Sequence, residues 1–373
     1  MALSGPRAAV FGPRQWDSFG GFMGVTLNEI AKAAGVSRGT VDRALNNRGR
    51  IQPKVAERIK RIAAEMGYSV NANARALAMA GKNISFGVIL QLTETPFIQE
   101  VLNGVNAAAE ELRQAGYRVQ VSLVRGISTE EVISSMRAMY ELPVQAIVLM
   151  GNNDPSLRQE IAACRENGIS VVTINSDVPD SDRKCFVGQD AYRCGQTAGC
   201  VMGDLLNGEG CISIFYGHDF TSHSERVRGF CDVISEKYKG IHILGQQSTG
   251  NDPGNIHSMI SECLGDGRLP DGIYFCSEGV EELCQALKES GKASQIRTVV
   301  HDIAGCRTED ILDRTIDYVI DDDGFGQGYL ALRLLHHWFY YQREPSEEFF
   351  YSDIKILNAY NLSSVTNLSL LTV

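Results

Sequence analysis

Long apolar runs are missing from this chain. No stretch of its 373 residues approaches the roughly 18 consecutive apolar residues that a membrane-spanning helix needs, so no membrane partner is expected. Paired cysteines are missing too. There are ten cysteines, and no two have the C-x-x-C spacing of zinc or redox sites. They sit in apolar segments such as Gly199-Cys200-Val201 and Phe275-Cys276-Ser277, where a free thiol behaves as a small hydrophobe. With no secretory signal in view, reduced thiols in a cytoplasmic protein are the expectation. Phosphate-binding glycine loops are absent, and Ser224 beside His223 has no nucleophile elbow around it. Adjacent His336 and His337 cannot face one site from a helix, and nothing near Asp321-Asp322-Asp323 completes a calcium or zinc pattern. Neither a catalytic residue, nor a metal, nor a cofactor is therefore expected. Residues 1–22 lack periodicity and hold Pro6 and Pro13; they are expected to be a disordered extension, or to precede a natural start at Met23.

What is present is an uneven distribution of charge. The whole chain carries a net −10. Between Val25 and Lys82, eleven Lys and Arg face only four Asp and Glu, a local +7, while residues 83–373 hold 22 basic against 40 acidic residues, or −18. A compact basic module on an acidic body is the electrostatic footprint of a nucleic-acid-binding head on a separate domain.

The head can be read element by element. Thr26-Leu27-Asn28-Glu29 has the form of a capping box. Leu27, Ile30, Ala31 and Ala34 then share one helical face. Gly35 supplies a tight turn and Ser37 an N-cap for a second helix to Leu45. Pro53 opens a third helix, with Val55, Ile59, Ile62 and Met66 as its stripe and Gly67 at its end. Two short helices joined by a glycine turn make a helix-turn-helix. Its second helix would present Arg38, Gly39 and Arg43 to base edges, since arginine bonds guanine bidentately. Thr26, Ser37, Thr40 and Asn46 are expected phosphate donors.

These residues resemble a known family. "VTLNEIAKAAGVSRGTVDRALNN", followed by "AAEMGYSVNANARAL", is similar to the head of the lac repressor/purine repressor (LacI/GalR) regulators. The resemblance implies that Asn71–Ala80 is a hinge helix which folds on operator DNA and pairs with its dimer mate. Asn71 would cap it, Ala74 would allow close pairing, and Leu77 would wedge into the minor groove. Three residues depart from the pattern: Gly39 lacks a base-reading side chain, Asp42 puts an acid near DNA, and Val70 replaces a usual proline.

From Ile84 onward, apolar strands and amphipathic helices alternate in units of about 30 residues, which predicts parallel sheets with right-handed crossovers. Two sets of strands point to two doubly wound lobes, with a single barrel as the alternative. The family resemblance implies an all-α head on an α/β body of periplasmic-binding-protein type I, two parallel-sheet lobes joined by three crossovers near Val187–Asp190, Asp321–Asp323 and Pro345–Glu347. The expected domains are the head (23–69), the hinge and linker (70–83) and the effector body (84–373). Lobe one would comprise 84–187 and 322–346, and lobe two 188–321 and 347–373. The polar strand ends would line a ligand cleft. By resemblance, "SERVRGF" gives Arg226, "VVHDIAG" gives Asp302, and "ETPFIQ" gives Phe97 a stacking role. Asn175, Asp177, Asp190 and Asp322 complete the candidate set. Asp177 and Asp190 serve equally well as helix caps, Arg226 and Asp302 could instead form a structural ion pair, and Asp322 stands where relatives often carry Gln. The expected function is a repressor. It would bind double-stranded, pseudo-palindromic operator DNA as a homodimer, under the control of a small sugar or polyol. The alternative is a solute-binding protein without a DNA role.

Overall fold

Strand and helix alternate as the apolar pattern requires. The computed structural model describes residues 9–11, 27–45, 51–66, 83–218, 220–265 and 268–362. In the head, helices Leu27–Ala34, Arg38–Leu45 and Pro53–Glu65 surround a core of Ile30, Ala31, Ala34, Val41, Ala44 and Ile59. Gly35 turns between the first two with φ of 63°, a left-handed conformation that glycine adopts at no steric cost. The Arg58 guanidinium donates to the Ala34 carbonyl at 2.7 Å, so the third helix closes the open end of the first.

The first sheet contains β1 (Ala9–Phe11), β2 (Ser85–Leu90), β3 (Arg118–Leu123), β4 (Val144–Leu149), β5 (Ser170–Ile174), β6 (Cys185–Gly188) and β12 (Phe349–Ser352). Its order is β1-β12-β6-β5-β4-β2-β3, and every pairing is parallel. The second sheet contains β7 (Glu209–Tyr216), β8 (Gly240–Ser248), β9 (Gly272–Cys276), β10 (Arg297–His301), β11 (Tyr318–Asp321) and β13 (Lys355–Leu357). Its order is β13-β11-β10-β9-β7-β8, with only β13 antiparallel. All six residues of β2 and all five of β9 are buried, as expected where helices cover both faces of a parallel sheet. Two sheets, not one closed barrel, are formed.

Two features differ from expectation. Ala9–Phe11 lies within the supposedly disordered extension, yet it pairs parallel with β12; a short β-prone segment has added to an open sheet edge. The third crossover was expected at Pro345–Glu347. Phe349–Tyr351 still pairs with Phe186–Gly188 in the first sheet, so the chain changes lobe only between Ser352 and Lys355. The Gln189 side-chain amide joins all three crossovers. It donates to the Asp321 carbonyl at 2.9 Å and to the Asp353 carbonyl at 3.0 Å.

One close helix crossing sets the backbone of each lobe. Pro96–Gln114 lies on Gly324–Tyr341 in lobe one, where a Cβ on Gly104 would strike the Phe325 carbonyl. Ala191–Leu205 lies on Thr221–Lys237 in lobe two, where a Cβ on Gly195 would strike the Arg226 carbonyl. Gly195 thus fixes the depth at which Arg226 sits. Gly195→Ala is expected to lower stability in chemical denaturation by about 1–3 kcal/mol, the usual cost of overpacking. Gly265→Ala, with open space around its Cβ, should leave stability unchanged or raise it.

Candidate functional site

The helix Arg38–Leu45 begins on a local cap. The Thr40 N–H donates to Ser37 Oγ at 3.3 Å, and the two hydroxyls share a hydrogen bond of 2.9 Å. Ser37 and Thr40, two of the four expected phosphate donors, are therefore bonded to each other at the helix start in this state. Arg38, Gly39 and Arg43 are exposed, while Val41 and Ala44 turn inward. Arg43 Nε donates to the Gly39 carbonyl at 3.0 Å, which steers its side chain back along the helix toward Gly39. A Cβ on Gly39 would meet nothing within 4 Å, so the glycine leaves a gap between the two arginines. Thr26, Asn46, Asn71, Ala74 and Leu77 lie outside the described residues.

In the body, loops from both lobes enclose a narrow cavity of about 30 Å³, room for roughly two waters. Lobe one contributes Phe97, at the start of Pro96–Gln114, and Asn175, which follows β5. Lobe two contributes Phe220, Arg226, Asn251, Glu278 and Asp302. Leu92, Asn175, Asn251 and Asp302 have φ of 52°, 60°, 54° and 65°. Left-handed backbone is uncommon outside glycine, and four such residues around one cavity mark a site held in place by its surroundings.

Of the expected effector residues, Phe97, Asn175, Arg226 and Asp302 are brought together here. Asp322 lies behind Arg226 and takes its guanidinium. Asp177 does not line the cavity. It accepts from Arg183 Nε and Nη2, each at 2.5 Å, from Thr173 Oγ1 at 2.6 Å and from the Val178 N–H at 2.8 Å. Asp190 does not line it either; it caps Ala191–Leu205 by accepting from the Arg193 N–H at 3.0 Å. Each carboxylate is used by neighbours within six residues; Asp190 takes the capping role, whereas Asp177 caps no described helix and is held by Arg183, Thr173 and the Val178 N–H instead. Asn251, Phe220 and Glu278 were not among the expected residues. Glu278 follows β9 and so had a strand-end signal; Asn251 sits in a turn whose composition resembles any other turn.

Three buried polar atoms at this cavity have no hydrogen-bond partner among the described residues: Arg226 Nε, Asn251 Nδ2 and Asp302 Oδ1. An unmet buried group costs about 1–3 kcal/mol, and such groups are rare enough to need a reason. Two donors and one acceptor converging on one space match hydroxyl groups, which both accept and donate. Phe97 and Phe220 supply apolar walls from opposite lobes.

Burial shapes the charges. It pushes the Asp302 carboxyl up to about 7, with Arg226 opposing and Asp321 adding to the rise. It pushes Glu278 up to about 8; Asp302 adds to this, while the Thr95 hydroxyl and Arg226 oppose it. His223 is driven down to about 3 by burial and by Arg226, so it stays neutral at pH 7. Both acids hold protons in the folded state at pH values where the unfolded chain has released them. Their contribution to stability is therefore full below about pH 4 and falls as pH rises toward 7 and 8. The buried histidines act in the opposite sense below pH 6.5, so the effect is read as a difference. Relative to wild type, an Asp302→Asn, Glu278→Gln double variant is expected to have a higher thermal midpoint at pH 8 than at pH 5. A difference that does not change with pH would contradict this assignment.

Comparison with known proteins matches the head and the body separately. Residues 26–71 match the family described as bacterial regulatory proteins, lacI family, and residues 86–338 match the periplasmic binding protein domain. The probable HTH-type transcriptional repressor ExuR of Bacillus subtilis is 31% identical over 57% of this chain; the chain spans 61% of that relative's length. The HTH-type transcriptional regulator GntR of Pseudomonas aeruginosa is 31% identical over 72% of this chain and 77% of its own. Among solved structures, an ABC transporter solute-binding protein from Burkholderia graminis in complex with D-arabinose superposes with a TM-score of 0.70 at 23% identity, covering 76% of this chain and 98% of the other. One from Bacillus halodurans with bound myo-inositol gives 0.69 at 18%, covering 77% and 98%. At that identity these two likenesses speak for the fold. From its basic helix-turn-helix to its two-lobed body, the chain belongs to the lacI family of bacterial regulatory proteins, with a periplasmic-binding-protein domain as that body.

Proposed function

We propose that this protein is a cytoplasmic, DNA-binding transcriptional repressor whose grip on its operator is set by a small sugar or polyol held between the two lobes. The observation that carries this reading is the convergence of Arg226 Nε, Asn251 Nδ2 and Asp302 Oδ1, unpartnered, on one interlobe cavity in a chain that opens with a basic helix-turn-helix. The relatives described as transcriptional repressors and regulators and as a sucrose operon repressor support it.

The protein acts as a homodimer on a pseudo-palindromic site, each head placing Arg38–Leu45 in a major groove. Arg38 and Arg43 read bases across the gap left by Gly39, and Leu77 wedges the minor groove between paired hinge helices. Binding of the effector closes or opens the lobes about the crossovers that Gln189 joins. That motion favours one dimer geometry, and operator affinity changes by as much as the effector's affinities for the two geometries differ. We assign the effector the role of inducer. A solute-binding role without DNA is the competing reading, and the basic head speaks against it.

Gel shifts against DNA from the adjacent promoter, across a salt series, test the proposal. Arg38→Ala is expected to cost about 1–3 kcal/mol at one base position and to relax preference there. Leu77→Ala should weaken the specific complex more than the non-specific one. Asn251→Ala should keep operator affinity but weaken the response to effector. Wild-type protein that shows no sequence preference at any salt concentration would remove the regulator reading.

A further inference from the structure

Among the described residues, the interlobe cavity has one cation, and that cation is already taken. Arg226 is 4% exposed and Asp322 1% exposed. The Arg226 Nη2 atom donates to Asp322 Oδ2. Asp322 belongs to the crossover between β11 and Gly324–Tyr341, so it reaches Arg226 from behind while the Nε edge stays unpartnered toward the cavity. Its backbone is pinned as well, since Gln327 Nε2 donates to the Asp322 carbonyl at 2.8 Å. The other charged groups at the cavity, Asp302 and Glu278, are both acids. His223 is the remaining basic side chain on the wall, and it is neutral.

We infer that Asp322 sets the charge class of the effector: by neutralising Arg226 from behind, it makes the cavity a site for an uncharged polyhydroxylated ligand and closes it to sugar acids. The inference rests on reading the cavity as the effector site. A carboxylate brought to Arg226 would meet a guanidinium whose charge is already balanced, with two further acids beside it. The attraction between a guanidinium and a carboxylate, about 4 kcal/mol at about 4 Å and an effective dielectric of about 20, is already taken up by Asp322, so an incoming carboxylate would lose its hydration without gaining a counter-charge. Neutral hydroxyls need none. They accept from Arg226 Nε–H and Asn251 Nδ2–H and donate to Asp302 Oδ1, which meets the three unpartnered atoms without adding charge. An isosteric amide at 322 would remove the balancing charge and leave Arg226 free to bind a carboxylate bidentately.

The test uses full-length wild type, Asp322→Asn, and Asn251→Ala as a cavity control. Thermal shift and calorimetric titration are run with D-galactose, D-glucose and myo-inositol as neutral probes, and with D-galacturonate and D-glucuronate as acidic ones. A neutral probe is expected to bind wild type, to lose affinity in Asn251→Ala, and to bind at least about tenfold tighter than either hexuronate, a difference of about 1.4 kcal/mol. In Asp322→Asn a hexuronate should gain at least about tenfold while the neutral probe changes by less than that. If Asp322→Asn does not melt cooperatively, the comparison of neutral and acidic probes on wild type decides alone. Wild type that binds a hexuronate as tightly as the neutral sugar, or a folded Asp322→Asn that gains nothing, overturns the role of Asp322 and leaves the effector site standing. If no probe shifts any of the three proteins, the cavity is not a sugar site and both readings fall.

Discussion

The burial of Arg226 is the constraint on which the body depends. A guanidinium at 4% exposure cannot give up its charge, so it must be met by carboxylates and hydrogen-bond acceptors or the fold is lost. Burial opposes the charge, and Asp302 leads the groups that sustain it. Asp322 supplies the direct contact. Removing one partner of such a pair typically costs roughly 3–5 kcal/mol. Arg226 comes from lobe two, while Asp322 comes from a crossover strand between the lobes. The pair therefore ties cavity chemistry to the segments about which the lobes move.

Several features take their place around that pair. Gly195 lets helix Ala191–Leu205 approach the Arg226 backbone, which sets the depth of the guanidinium. Gln189 holds the Asp321 and Asp353 carbonyls together, so the crossover bearing Asp322 is coupled to the other two. His301 Nδ1 lies 3.7 Å from Asp322 Oδ1, just beyond hydrogen-bond reach, and neither atom has another partner. Tyr274 and His301 share a hydrogen bond of 2.9 Å behind them. The polar cluster thus holds unmet atoms both at the cavity, on Arg226, Asn251 and Asp302, and behind it, on His301 and Asp322.

Much of this was legible in the sequence, for local reasons. The head could be read because capping residues, a glycine turn and helical periodicity act over a few neighbours; the structure places helices at Leu27–Ala34, Arg38–Leu45 and Pro53–Glu65. The alternating body was legible because strands buried on both faces are continuously apolar. Arg226 and Asp302 followed from motif resemblance. Asp177 and Asp190 could not be sorted from ligand contacts by strand-end position alone, since what absorbs them is a side chain or backbone N–H nearby, Arg183 for one and the Arg193 amide for the other. Asn251 and Phe220 were missed because their approach to the cavity depends on how separate loops meet in space. The third crossover was placed early because Phe349–Ser352 is joined to the first sheet by pairing with β6, distant in sequence. Pairings of that kind leave no local trace.

Reciprocity between cavity and operator is the most direct test of the whole account. The sugar that most raises the thermal midpoint should be titrated calorimetrically into protein alone and into protein saturated with an operator fragment selected from random DNA. Linkage requires that the factor by which sugar weakens operator binding equals the factor by which operator weakens sugar binding. Two equal factors, both well above one, are expected. Sugar that binds free and operator-bound protein with the same affinity would contradict this.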